Sequence, residues 1–283
     1  MSLRIESKEA LEGDRYYHER TKCLKRLKRK RVEKYVGFDT SSTCEGGGRT
    51  LIKTICDDRW SPCRGLVRLY ARMGLHRYNL LEGKNLQFCH VKKYNMTNHS
   101  AASSYYITLR AMDPARNERL TFQTLVSEKR YGHLILTSNI ARPRGTNTED
   151  GPLITECPKL SLPECPPEDL FENRKQFYVI NESELQHNDW IRLYLELAVA
   201  TSHRHTDHDL SNLKIVKVAI ETTEQDPNEG SLNAINALVY IRYKDFCESR
   251  VGKDVDRIAI VRRTFKESKG GFILEGHNQV IKS

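Results

Sequence analysis

The sequence predicts an α+β protein made of two tandem units, each a helix packed on an antiparallel sheet, preceded by a basic N-terminal helical arm. Three observations carry this. A helix-period stretch followed by four strand-like runs occurs twice within 283 residues. The local patterns agree, Asn85-Leu-x-Phe-x-x-Val91 matching Asn212-Leu-x-Ile-x-x-Val218. Seven of the nine prolines lie between positions 114 and 167, six of them between 143 and 167, so an extended linker separates the two repeats. The expected boundaries are 1–48 for the arm, 49–141 for the first unit, 142–176 for the linker and 177–283 for the second unit.

The arm carries most of the charge. The chain has a net charge of +9, and residues 22–34 alone hold Lys22, Lys25, Arg26, Lys28, Arg29, Lys30, Arg31 and Lys34 against one acid, Glu33. Such a block reads as a nuclear-import signal or a contact for polyanions such as nucleic-acid phosphates; the plainer alternative is a solvated helix face. Leu11, Leu24, Leu27 and Val32 keep no heptad over three repeats, which argues against a coiled coil. Three consecutive glycines, Gly46 to Gly48, suit a flexible loop and lack the Gly-Lys-Ser/Thr of a phosphate-binding loop.

In the first unit, Leu66, Leu69, Tyr70 and Met73 fall on one face of a helix over 66–78. Strand-like runs follow at 85–91, 105–111, 120–126 and 133–137. The second alternates cleanly, with Tyr105, Ile107, Leu109 and Ala111 on one side. In the second unit, Trp190 to Ala198 is the most apolar helix-like stretch, with Asn188 or Asp189 as its N-cap. Its four strands are expected at 213–220, 237–243, 258–265 and 271–275. Arg262 and Arg263, adjacent in the penultimate strand, take opposite sheet faces; one is a candidate ligand contact, and pairing with a neighbouring Glu is the commoner fate. Trp60 and Trp190 read as core.

Several function classes are excluded or disfavoured. A 38% hydrophobic content supports a core, yet no apolar run approaches the roughly 18 residues of a membrane span. The N-terminal residues lack a signal-peptide core, so secretion is not expected and the eight cysteines are expected to be reduced thiols. None of them forms Cys-x-x-Cys. The sequence shows no Gly-x-Ser-x-Gly elbow and no Cys/His setting for a nucleophile. One string invites an enzyme: His203-Arg-His205-Thr-Asp207-His208 has the His-x-His-x-Asp-His form that binds two metals in metallo-β-lactamase folds. That fold needs the string after a strand, with further ligands well downstream, and only His277 follows. His203, His205, Asp207 and His208 are candidate metal ligands in what otherwise reads as an exposed loop. Catalytic residues and cofactors are not expected.

Ala71-Arg72 through Tyr78-Asn79 and Tyr105-Tyr-Ile-Thr-Leu-x-Ala111 resemble the helix signature and following strand of plant cystatins, implying a cystatin/monellin-like unit. Cystatins inhibit papain-like proteases through Gln-x-Val-x-Gly and Pro-Trp hairpins; the corresponding segments here, 92–104 and 127–132, carry neither. A longer resemblance runs through 188–201, 215–222 and 251–265. These segments are similar to the plant family named for the Brassica protein Male Sterile Five. That resemblance implies a role in male meiosis and fertility, with no known enzymatic activity and no motif residues to carry over. The expectation is a non-enzymatic nuclear protein-interaction module, with the cytoplasm as the other location. Its partners would be nuclear or chromosomal proteins, with nucleic-acid phosphates reached through the arm. The alternatives are a cystatin-related protease inhibitor or small-ligand binder, and a metal-dependent hydrolase using the His-rich loop.

Overall fold

Helix α1, Gly65–Glu82, buries Val67, Leu69, Tyr70, Met73 and Leu75 along one face and ends at Gly83, which takes the left-handed conformation (φ 58°). No side chain caps its start. Packing holds it: each large apolar side chain buried contributes about 1.5–3 kcal/mol, against about 1 kcal/mol for a cap. The computed structural model describes residues 37–39, 51–57, 61, 63–97, 102–146, 170–203, 209–222, 231–253, 255–266 and 271–281.

Four strands follow α1 in the first half: β2 (Gln87–Thr97), β3 (Ser104–Asp113), β4 (Glu118–Glu128) and β5 (Leu134–Pro143). A short strand, β1 (Leu51–Ile55), precedes it and pairs with β2. The second half repeats the order. β6 (Tyr178–Val179) and a short helix α2 (Glu182–His187) lead into α3 (Asp189–Ser202). Then come β7 (Leu213–Thr222), β8 (Ala237–Asp245), the four-residue helix α4 (Glu248–Val251), β9 (Asp256–Lys266) and β10 (Gly271–Val280).

All ten strands form one antiparallel sheet in the order β1-β2-β3-β4-β5-β10-β9-β8-β7-β6. The order reads the same from either edge, so the halves meet about an approximate two-fold between β5 and β10. There Phe272 faces Ser138 and Leu274 faces Leu136. The protein is thus α+β, as expected. The eight expected strands are present, most of them longer than their apolar patterns; β1, β6, α2 and α4 were not anticipated.

Both long helices lie on the same sheet face and run antiparallel, since Arg72 meets Glu196 whereas His76, one turn later, meets Tyr194 and Trp190. One core joins them to the sheet, with Tyr70, Ile107, Phe122, Ile191, Tyr194, Leu195, Val261 and Phe272 among its members. The opposite face carries two smaller clusters. Phe38 packs with Leu125 and Ile140 beside Tyr106 on the first half; Leu170 and Phe177 pack over Tyr240 and Ile260 on the second. Phe38 meets Tyr106 edge-on at 5.4 Å, and Phe177 meets Tyr240 edge-on at 5.9 Å. No helix among the described residues is long and apolar enough to cross a membrane.

Candidate binding site between the helices

The two halves share a cavity of about 610 Å³. Arg72, Leu75, His76 and Asn79 of α1 form one wall, and Asn188, Asp189, Trp190 and Leu193 at the start of α3 form the other. Lys84 to Phe88, and Leu232 with Asn233, also line it.

Local geometry fixes these walls. Asn79 spans the turn after α1, its amide donating to the Leu86 carbonyl (2.8 Å) and its oxygen accepting from the Leu86 amide (3.0 Å). Asn181 and Glu184 form a reciprocal capping box at the start of α2. Asn188, the residue between α2 and α3, donates to the Glu184 carbonyl (2.7 Å) and accepts from the Trp190 indole N–H (3.1 Å). It therefore orients Trp190 instead of capping α3 with its side chain. With Asn79 and Asn188 committed to the scaffold, Lys84, Asn85, Gln87, Asp189 and Asn233 are among the polar side chains left to address whatever enters.

Behind the cavity lies a buried cation. Arg263 is fully buried, its guanidinium 4.8 Å from the Trp190 ring centre and 5.9 Å from that of Tyr194. It donates to Tyr194 Oη (3.3 Å) and to the carbonyls of Leu232 and Ala234. No carboxylate among the described residues pairs with it. The expected fates of an Arg pair thus divide: Arg263 is held by aromatic faces and carbonyls, whereas Arg262, on the other sheet face, lies directly across from Glu275.

This charge acts on His76. The imidazole stacks on Trp190 (5.8 Å, 18° between planes) and lies 3.0 Å from Tyr194 Oη through Nε2. Burial, and then the nearby Arg263, lower its pKa from 6.5 to about 3. Because Tyr194 Oη accepts from Arg263, the arrangement that satisfies both partners has the tyrosine donating to a neutral Nε2, which leaves Nδ1–H as a donor. Burial also raises the Tyr194 pKa, with Arg263 opposing it. At neutral pH both groups keep fixed protonation states. They offer directional hydrogen bonds and no ready proton transfer.

One ion-pair network ties the halves beside the cavity. Glu196 accepts from Arg72 of the first half and from Arg192 one turn earlier on α3, both at 2.8 Å. Arg192 also donates to the carbonyls of Leu210 and Leu213, fastening the entry to β7.

Of the residues singled out in the sequence, Trp190 is here, partly buried as cavity wall and core edge at once. Trp60 lies outside the described residues, as do Lys22, Lys25, Arg26, Lys28, Arg29, Lys30, Arg31 and Lys34, and likewise His205, Asp207 and His208. His203 follows α3, its Nδ1 3.1 Å from the Val199 carbonyl. Among the described residues no three His, Cys, Asp or Glu side chains gather as a metal site. The sequence reading missed His76 and the burial of Arg263. Arg263 and Tyr194 are 69 positions apart and His76 and Tyr194 are 118 apart, and no local pattern marks them.

Comparison with known proteins follows the same outline. The family model described as Protein MS5 matches residues 162–274. UPF0725 protein EMB2204 of Arabidopsis thaliana is 47% identical over 230 residues, covering 76% of this chain and 67% of the relative. UPF0725 protein At1g02770, from the same plant, is 43% identical over 258 residues, covering 87% of this chain and 80% of the relative. UPF0725 protein At3g57210, also from Arabidopsis thaliana, is 56% identical over 160 residues, covering 55% of this chain and 100% of the relative. The crystal structure of MS5 from Brassica napus superposes with a TM-score of 0.65 at 37% identity, covering 78% of this chain and all of that one.

Proposed function

The chain belongs to the MS5 family of plant proteins, and from that membership together with the inter-helix cavity we propose a non-enzymatic protein-interaction module of the nucleus that serves male fertility and meiosis. The observation that carries the reading is the chemistry of the cavity. It is walled by both halves and backed by an Arg263–Trp190–Tyr194–His76 cluster in which burial, and then Arg263, hold the His76 imidazole neutral, and its lining carries amides, the Lys84 ammonium, the Arg72 guanidinium and the Asp189 carboxylate. Such a lining recognises polar groups and has little means of activating them. Each half runs strand, helix, then four antiparallel strands, which supports reading the scaffold as two cystatin-like units fused edge to edge. The basic segment 22–34 supplies nuclear import in this reading.

One comparison tests it. The tagged full chain, a variant lacking residues 22–34, and a cavity-mouth variant, Lys84→Glu with Asn85→Tyr, are purified from flower buds and their partners identified by mass spectrometry. Lys84 and Asn85 are exposed, so the double variant leaves the core intact. The full chain is expected to accumulate in nuclei with a defined partner set. The deletion loses nuclear accumulation, and the mouth variant stays nuclear and loses partners. An unchanged partner set in the mouth variant removes the cavity from the function. Recovery of papain-like proteases supports the inhibitor reading instead.

The cavity's volume favours a second reading, since about 610 Å³ falls within the range of small-molecule sites. A single compound released on denaturing the bud-purified protein would assign it to a small ligand.

A further inference from the structure

The side chains of the inter-helix cavity divide by depth. Lys84, Asn85, Gln87, Asp189 and Asn233 are exposed at its rim, where the charges of Lys84 and Asp189 cancel. Farther in, Leu75, Leu86 and Leu193 are at most 5% exposed and give the lining an apolar surface. Beside them stand two half-buried polar residues of α1, Arg72 and His76. Four positions apart, they are neighbours on one helix face in successive turns.

Both offer donors that the scaffold has not used. The Asn79 side chain is committed to the Leu86 backbone, and that of Asn188 to the Glu184 carbonyl and the Trp190 indole. Trp190 thereby spends its one N–H. Arg72 gives Nη1 to Glu196 at 2.8 Å, which leaves the other N–H groups of its guanidinium. His76 has Nε2 taken by Tyr194, and its Nδ1–H has no acceptor among the described residues. The buried part of the lining thus presents side-chain donors and no uncommitted side-chain acceptor.

Charge points the same way. Arg72 and Arg192 share one carboxylate, Glu196, and the fully buried Arg263 has none among the described residues. Three guanidiniums therefore stand against one carboxylate in and behind the wall, where burial weakens the screening that water and salt give at the rim. A cation entering here would meet surplus positive charge and find no acceptor.

We infer that the cavity binds a small organic carboxylate, its oxygens accepting from the Arg72 guanidinium and His76 Nδ1–H and its apolar body lying on Leu75, Leu86 and Leu193. This rests on the small-ligand reading of the cavity and gives that ligand its chemical class. The guanidinium fork matches the two oxygens of a carboxylate, and the imidazole N–H one turn away adds a third donor. A volume of about 610 Å³ accommodates a body of fused-ring size.

The test uses the full chain with 2-naphthoate and its uncharged analogue 2-naphthamide, which share one ring system, each titrated by calorimetry at neutral pH. The parent is expected to bind naphthoate at least about tenfold more tightly than naphthamide, since only naphthoate brings a charged acceptor. In Arg72→Gln, compared at an unchanged melting temperature, that preference is expected to fall to about twofold or less while naphthamide affinity stays within about twofold of the parent's. A merely structural role for Arg72 would weaken both probes alike and would overturn its part in binding. In the parent, the His76 ring-nitrogen resonances are expected to move with naphthoate and hold still with naphthamide, a readout that stands even where the variant fails to fold. Unmoved resonances on naphthoate binding place the ligand elsewhere and overturn the inference. Equal affinity for the two probes overturns the carboxylate and leaves the small-ligand reading in place. Binding of neither probe overturns both.

Discussion

His76 shows how one residue can carry an electrostatic decision made elsewhere. Its imidazole faces Tyr194 and Trp190 of α3 and the Arg263 guanidinium of β9, with Phe272 of β10 at its edge and the Arg72–Glu196 pair one turn away. Burial and Arg263 hold the folded pKa near 3, whereas the unfolded chain titrates near 6.5. The unfolded state therefore takes up the proton first as pH falls. The stability that depends on neutral His76 is complete above about 6.5 and declines between there and about 3. The slope from this one group reaches about 1.4 kcal/mol per pH unit. His277, lowered by burial, acts in the same direction. Unfolding free energies from urea titrations at pH 7, 6, 5 and 4 should fall for the parent and fall less for His76→Gln. Identical slopes would show that the imidazole is not held neutral in the folded protein.

At the scale of elements, the tightest fit is between α1 and β4. A Cβ on Gly74 would lie 2.0 Å from Thr124 Oγ1, and Thr124 is pinned by its hydrogen bond to the Ile140 carbonyl (2.8 Å). Helix propensity alone favours Ala over Gly by about 1 kcal/mol, but the collision reverses the sign. Gly74→Ala is expected to destabilise the protein by about 1–3 kcal/mol in denaturant unfolding, and Thr124→Ala in the same chain should recover part of that loss. A more stable Gly74→Ala would mean that the helix rides higher on the sheet than described. The elements themselves were legible wherever burial is one-sided. Tyr105, Ile107, Leu109 and Ala111 alternate because the helices cover only one face of β3, and α1 keeps its stripe for the same reason. The short β1 was missed because Leu51-Ile-Lys-Thr-Ile55 sits at an edge, largely exposed, and burial imposes little pattern on it. Helix α2 did leave a trace, the Asn181-x-x-Glu184 capping box, which was passed over because the helix buries none of its residues. The site was barely legible. Trp190 was visible as an apolar residue, but the environment of Arg263 arises only when α3 and β9 come together.

At the scale of the whole molecule, the palindromic strand order makes each half dependent on a partner at β5 or β10. Phe272, Ile273 and Leu274 of β10 are at most 1% exposed because β5 pairs alongside them and α1 reaches across from the first half. Expressed alone, residues 170–283 would present this apolar strand as a bare edge, and bare edges of this kind recruit other strands. The approximate two-fold also supplies the geometry for recruitment. β10 meets β5 antiparallel at equivalent positions, so a second copy of β10 can take the place of β5 in an isologous contact. The fragment is therefore expected to form dimers or larger species by light scattering at micromolar concentration, with unfolding midpoints that rise with protein concentration. A monomeric fragment that unfolds cooperatively at a concentration-independent midpoint would show that the second half is a self-sufficient domain. The seam would then be a docking contact between two finished units. The first outcome would instead make the ten-stranded sheet the cooperative unit, with the inter-helix cavity a product of its assembly.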